Sequence, residues 1–400
     1  MLAPLKSAMS TRKLYRQRWF MAFKNYAKLI LPQDAEFYPE VDDRDQLEAA
    51  DKVLIAWPEQ CTKPKVGLVR DRREYPYWTK FERFLKNNQI SFDYYDVHRS
   101  DWLESAGKYD IIIWILEGAT VPFLEEIRRK TYILEKIYSK VCFPTFDTLM
   151  WNEDKITQYE LLRMDDFPMI ETFISYDLSE TLKKLPELKY PLVTKCCTGA
   201  GSLGVELVND SLEAEKISKS VFSSRGRTTF WPYYRQKNYV YFQEFLPNQG
   251  YDLRVIVVGN IVMGYYRDVP KGDFRASGMH KVRYGDIPED AIRLGRKVAN
   301  KFNEIVMAID MLRDSKNGEL HITELGAMYA IDTLGELIVN GVKGIYIFDS
   351  SDQYKFQSGS IWTQELSLCE FFKRWLSRME NDKKYQGEET KAFQDSKKDL

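Results

Sequence analysis

Lys195 ends an apolar run, Tyr190-Pro-Leu-Val-Thr-Lys195, and leads into Gly199-Ala-Gly-Ser-Leu-Gly204. With no Cβ at Gly199, Gly201 and Gly204, backbone N–H groups can close on phosphate oxygens, and Ser202 adds a hydroxyl between them. The spacing satisfies GxGxxG, yet Val205, Leu207 and Val208 read as a strand, and a helix is expected only from about Ser211. A dinucleotide fingerprint needs that helix directly after the glycines, and a P-loop needs Lys-Ser/Thr after the last one, so both readings fail. What remains is strand, glycine loop, strand: a hairpin lid. Val193 on the same strand face as Lys195 would set an apolar wall beside an ammonium. A plain glycine turn with a surface lysine satisfies the same residues.

A second set of residues concerns charge. Tyr241-Phe-Gln-Glu-Phe-Leu246 is an apolar strand with Glu244 in its midst, ending at Pro247. Asp252-Leu-Arg-Val-Ile-Val-Val258 is a buried strand that opens on a charged pair. Arg254 there needs an anion, and either Asp252 or a bound phosphate would serve. Farther on, Ile305 to Leu312, Ser315-Lys-Asn-Gly318 and Glu319 to Leu325 read as a hairpin turning at Asn-Gly. Asp310 and Glu324 then fall within about one residue of facing each other. Two facing carboxylates repel unless a cation lies between them. Hard oxygen ligands of this kind suit Mg2+ shared with nucleotide phosphates, and a lysine neutralising one of them is the structural alternative.

The elements that must position these residues follow from the rest of the chain. Its 400 residues predict two or three domains. The 58 basic side chains offset 59 acidic ones, which argues against a dedicated nucleic-acid binder. No uninterrupted apolar stretch is long enough to span a bilayer. Five scattered cysteines and three histidines (His98, His280, His321) suit neither a disulfide framework nor a zinc site, and they point to a reducing cytoplasm. The first 33 residues carry basic but no acidic side chains, with Tyr15, Trp19, Phe23, Tyr26 and Ile30 at helical spacing. That segment reads as a basic amphipathic helix packed on the protein body, or alternatively as a peripheral membrane or partner surface. From about residue 51, short strands at 65–69, 91–97 and 111–116 alternate with helices at 78–88 and about 122–140, implying a small parallel α/β unit. The apolar stripe Leu368, Phe371, Phe372, Trp375 predicts a C-terminal helix, and the charged segment from Glu380 reads as a frayed tail.

In this order the pieces resemble the ATP-grasp superfamily, nearest to glutathione synthetase and the RimK-type amino-acid ligases. Asn152-Glu-Asp-Lys155 resembles the helix that carries the first ATP lysine; Lys195 matches the second, and Gly199 to Gly204 the phosphate lid. Gln243, Glu244, Phe245 and Leu246 resemble the adenine hinge. Asp252-Leu-Arg-Val255 resembles the DIRV strand, which implies Arg254 near phosphates or substrate. Phe274-Arg275 matches the start of an FRxN segment, implying that Arg275 steadies the transferred phosphoryl group. Asp310 and Glu324 fall where the family keeps its magnesium carboxylates. The resemblance implies an α/β (α+β) fold: a helical extension (1–50), a parallel pre-ATP-grasp domain (51–147), a two-lobed ATP-grasp domain (148–350, lobes dividing near 240) and a C-terminal helix with tail (351–400).

Two positions depart from the family pattern. Glu324-Leu-Gly326 replaces EVN, and Ser277 replaces the FRxN asparagine, removing amides while leaving every charge. The implied activity is Mg-dependent ligation of a small-molecule carboxylate to an amine through an acylphosphate. A hydroxyl phosphotransferase and a nucleotide-binding scaffold remain as alternatives. Trp231, Tyr233, Tyr234 and Arg235 would suit several substrate classes, and His280 is a candidate base.

Overall fold

A computed structural model describes residues 47–71, 76–115, 121–199, 202, 204–229, 234–276, 278, 281–327 and 336–395. The basic helix expected over the first 33 residues lies outside this set.

The first layer is a parallel sheet in the order β2-β1-β3-β4: β1 (Val66–Leu68), β2 (Phe92–Tyr94), β3 (Ile111–Ile113) and β4 (Val141–Phe143). β1 and β3 are buried throughout, as continuous apolar runs covered on both faces must be. Their crossovers hold α1 (Trp78–Asn87), α2 (Trp102–Ala106) and α3 (Val121–Tyr132), the last extended by a π turn over Ile133–Ile137. After β4 come α4 (Phe146–Trp151) and α5 (Lys155–Met164), capped by the Thr145 hydroxyl and the Asp154 carboxylate.

A four-stranded antiparallel sheet follows, in the order β5-β10-β6-β7: β5 (Thr172–Ser175), β6 (Leu192–Thr194), β7 (Glu206–Val208) and β10 (Val240–Glu244). α6 (Leu178–Lys184) and α7 (Ser211–Val221) pack on it, and β8 (Arg227–Thr228) pairs with β9 (Arg235–Gln236) beside it. α7 starts at Ser211, so the segment after the glycines is a strand and the lid is a hairpin.

The largest sheet runs β15-β14-β11-β12-β17-β16, with β13 (Val282–Arg283) on β12 and β18 (Tyr354–Ser358) on β17. Its strands are β11 (Tyr251–Val258), β12 (Ile261–Asp268), β14 (Val306–Arg313), β15 (Leu320–Gly326), β16 (Ile338–Val339) and β17 (Val342–Phe348). α8 (Glu289–Phe302) lies against it so closely that a Cβ on Gly295 would come 2.7 Å from Val255 Cγ1.

One continuous apolar core joins this sheet to the parallel one, completed by α9 (Thr363–Asp395). Phe372 of α9 stacks on Phe84 of α1 at 6.0 Å, and the buried Arg83 pairs with Glu365 at 2.6 Å. The frayed tail expected from Glu380 is instead helical to Asp395. The segment is rich in Glu, Lys and Gln, whose straight side chains lose little freedom in a helix, so low hydropathy alone does not make it coil.

Candidate active site

The floor of the site is a charged row across the large sheet. Glu324 on β15 is the register partner of Asp310 on β14, and Asp310 that of Arg254 on β11. Two residues along, Asp252 on β11 faces Arg267 on β12. Register partners share a face, as do residues two apart, so these side chains converge. The β-bulge between Asp310 and Met311 marks the point where the pairing shifts.

Arg254 grips Asp310 with both ends of its fork, Nε–Oδ1 2.7 Å and Nη2–Oδ2 2.8 Å. Arg267 grips Asp252 in the same way at 2.6 and 2.8 Å, and its Nη2 also lies 2.7 Å from Asp310 Oδ2. Burial pushes the Asp310 carboxyl up, but the two guanidinium groups outweigh it and hold the carboxyl well below the usual range. For Asp252 burial prevails, raising it to about 6 despite Arg267. The sequence offered Asp252 or a phosphate as the partner of Arg254. The partner is Asp310, because β11 lies next to β14, a strand more than forty residues away in the chain.

Two lysines line the same cavity as this floor. Lys155 begins α5 and is buried; its Nζ lies 2.8 Å from Glu324 Oε1 and 2.8 Å from the Gly199 carbonyl oxygen. Burial pulls this ammonium down, but Glu324 and Glu153 outweigh it and hold it above its ordinary value. Lys195 follows β6. Among the described residues no hydrogen bond or ion pair reaches its Nζ, which has only the Tyr241 ring, 6.0 Å away. Burial draws it down to about 8, against the pull of Glu324. A partly buried ammonium with no counter-ion beside it is costly unless an anion arrives.

Both lysines line one cavity with Asp252, Arg267, Asp310 and Glu324 at its charged end. Ile170, Val193, Val205, Phe245, Leu246 and Leu312 line it with apolar side chains, as a site for a base requires. Gly199, Ser202, Gln243 and Glu244 also line it. Gln243 is buried and donates to the Thr172 hydroxyl at 3.1 Å, which fixes the strand that presents Glu244 to Leu246. In the lid, Gly204 has φ +81°, and a Cβ there would come 2.9 Å from Cys196 Sγ. Only glycine meets both conditions without strain.

Arg275 reaches the same cavity from the segment after β12, but its fork is held by Asp273 at 2.9 and 2.8 Å. Tyr234 and Arg235 do not join the cavity: the Tyr234 hydroxyl lies 3.2 Å from that of Tyr239, and Arg235 donates to Thr228 at 3.1 Å. Gly201, Trp231, Tyr233, Ser277 and His280 lie outside the described residues. The residue that sequence reasoning missed is Arg267. Gly259-Asn260 is a two-residue turn, and counting outward from it pairs Asp252 with Arg267.

The carboxylates also bear on a metal. Asp310 and Glu324 face each other, and both suit a hard cation. Among the described residues no three His, Cys, Asp or Glu side chains gather as a metal set. The pair therefore fits Mg2+ only as a cation completed by phosphate oxygens and water, which is how Mg2+ is commonly held.

Residues 152–337 match the model of the RimK-like ATP-grasp domain. The chain is similar to the alpha-aminoadipate–LysW ligase LysX of Saccharolobus solfataricus, at 22% identity over 61% of this chain and 87% of that protein. It is also similar to the glutamate–LysW ligase ArgX of Sulfolobus acidocaldarius, at 27% identity over 33% of this chain and 44% of that protein. Among solved structures, a RimK-domain ATP-grasp protein from Sphaerobacter thermophilus superposes with a TM-score of 0.48 and 17% identity, covering 66% of this chain and 92% of that one.

Proposed function

We propose, from the match of residues 152–337 to the RimK-like ATP-grasp domain, that the chain joins a carboxylate to an amine at the expense of ATP. The observation that carries the proposal is the Lys195 ammonium, without a counter-ion among the described residues and facing the same cavity as the Asp310–Glu324 pair. That arrangement asks for an anion able to bridge an ammonium and two carboxylates, as a metal-bound polyphosphate does. The relatives named as ligases of alpha-aminoadipate and of glutamate support a ligase reading with an amino acid as one substrate.

Val193, Val205 and Leu312, which line the cavity, would hold the base, and the backbone of Glu244 to Leu246 would meet its edge. Lys195, and Lys155 turning from Glu324, take the phosphate oxygens. Asp310 and Glu324 would hold Mg2+ together with phosphate oxygens, and the cation would supply further neutralisation of the transferring phosphoryl group. Arg254 and Arg267 hold Asp310 ionised and aimed, so they act as positioning residues; Arg275, whose fork Asp273 holds, lines the same cavity and would turn to the phosphoryl group.

The reaction has two balanced steps. A substrate carboxylate oxygen attacks the γ-phosphorus, the bond to the β–γ bridging oxygen breaks, and ADP leaves with an acylphosphate in place. The amine then attacks the acyl carbon, phosphate departs with the C–O bond electrons, and the amine gives up a proton. The hairpin lid keeps water from the acylphosphate. Binding of Mg-ATP followed by calorimetry, in wild type and Lys195→Met, tests the nucleotide site. Trapping of the acylphosphate with hydroxylamine tests the chemistry.

A further inference from the structure

β15 ends the large sheet, so one row of its backbone N–H and C=O groups has no strand of that sheet beside it among the described residues. Those groups are matched one by one instead. The Ile322 N–H donates to the Pro168 carbonyl at 2.8 Å. The Leu325 N–H donates to Gln158 Oε1 at 2.9 Å, and Gln158 Nε2 donates to the Leu325 carbonyl at 2.8 Å. The Ala327 N–H donates to Asn152 Oδ1 at 2.9 Å. A primary amide carries a donor and an acceptor side by side, as a peptide group does. Gln158 therefore meets Leu325 as one residue of a neighbouring strand would.

Both amides lie in the interior: Gln158 is 3% exposed and Asn152 1%. Polar side chains are seldom buried so fully. Asn152 is there although its Nδ2 has no partner, a cost that an apolar residue would avoid. The place the two amides hold explains them. Asp310 pairs with Glu324 but Met311 with Ile322, so Thr323 is the extra residue of the bulge. The ladder is interrupted at the residue before Glu324, and Gln158 fastens the residue after it. The same Nε2 also donates to the Trp151 carbonyl at 3.1 Å, at the end of α4.

Three links thus join residues 152–158 to residues 324–327. The middle one is ionic, Lys155 Nζ to Glu324 Oε1 at 2.8 Å. Gln158 lies three residues beyond Lys155 on α5, where side chains share a face. The outer two are neutral amide contacts to backbone, for which an incoming phosphate does not compete. We propose that Gln158 and Asn152 are positioning residues of the nucleotide site: they hold β15 against α5, so that Glu324 keeps its place for a cation when Lys155 leaves it for the phosphates. The inference rests on the nucleotide reading given above. Without the outer links, opening the middle one would free Glu324 and the bulge beside it from α5.

The test is calorimetric titration of ATP at a series of Mg2+ concentrations, beside thermal unfolding, on wild type, Gln158→Met, Asn152→Ala and Phe84→Leu. Methionine fills the space of glutamine and removes both hydrogen bonds to Leu325. Alanine removes only the link to Ala327 and leaves Gln158 in place. Phe84→Leu thins the core where α1 stacks on α9, outside the cavity, and reports what lost stability alone does. The expected result is that the Mg2+ concentration for half-maximal binding rises about tenfold in Gln158→Met and about threefold in Asn152→Ala. It stays at the wild-type value in Phe84→Leu, although all three variants unfold at lower temperature. A wild-type Mg2+ requirement in Gln158→Met and Asn152→Ala would overturn the inference, however early they melt. So would an equal rise in Phe84→Leu, since lost stability would then account for the effect. If Gln158→Met does not fold, Asn152→Ala decides between the same results. If wild type itself fails to bind Mg-ATP, the nucleotide reading falls first, and the inference with it.

Discussion

Lys155 Nζ sits 2.8 Å from Glu324 Oε1, so the first lysine of the site and the solvent-accessible carboxylate of its floor neutralise one another before any ligand arrives. Asp310 is neutralised separately, by Arg254 and Arg267. The site thus stores its charge in internal pairs and leaves Lys195, among the described residues, as an ammonium without one. In the proposed function, incoming phosphates would trade partners with Lys155 and complete Lys195.

Lys195 makes nucleotide affinity depend on pH. Its free-protein value is about 8, and bound phosphates favour the charged form, so the complex holds the proton more tightly. Affinity is constant below pH 8 and falls above it by up to about tenfold per pH unit, until the lysine of the complex also titrates. Mg-ATP titrations from pH 6.5 to 9.5 check this, and Lys195→Met removes the slope along with most of the binding.

The same lysine costs stability without ligand. In the unfolded chain it titrates near 10.5, so between pH 8 and 10.5 the unfolded state binds more protons and folding strengthens as pH rises. The penalty is fully present below pH 8. Lys195→Met therefore unfolds a few degrees higher than wild type at pH 7 in a nucleotide-free melt, the opposite of its effect on binding.

Asp310→Asn removes the anion that two buried guanidinium groups share. Asp252 still holds Arg267, so Arg254 is the one left without its anion; the cost is about 3–5 kcal/mol, which lowers the midpoint of thermal unfolding by roughly 5 °C, and activity is lost as well. Glu324→Gln frees only Lys155, costs less stability, and shows instead as a raised Mg2+ requirement for nucleotide binding.

Arg275→Ala separates function from folding. Its Asp273 partner lies on its own loop two residues away, and a half-buried local pair of this kind contributes about 1 kcal/mol. The variant melts within about 2 °C of wild type, while ADP formation drops at least a hundredfold.

Gly204→Ala puts a methyl 2.9 Å from Cys196 Sγ at φ +81°. The cost is about 1–3 kcal/mol, and the lid closes poorly over nucleotide. Adding Cys196→Ala relieves the contact but not the backbone, so Mg-ATP affinity in the double variant recovers in part.

What the sequence revealed depended on whether the deciding contact was local. The Asn317-Gly318 turn sets the β14–β15 register, so Asp310 and Glu324 face each other as the spacing implies. The glycine segment was legible as a hairpin because no helix follows within reach. Arg267 was legible too, through the two-residue turn at Gly259-Asn260, had the count been carried to Asp252. The pairing of Arg254 with Asp310 was not: alternation tells which face a residue occupies, never which distant strand lies beside it. The helical tail to Asp395 shows the limit of reading charge-rich segments as coil.

The most direct test of the central claim is ADP release from Mg-ATP with hydroxylamine and a pool of amino acids and other carboxylic acids, in wild type beside Lys195→Met and Glu324→Ala. A carboxylate–amine ligase gives ADP and hydroxamate together in wild type, and neither in the two variants. ADP without hydroxamate for every carboxylate would contradict an acylphosphate, and with it the ligase reading of this site.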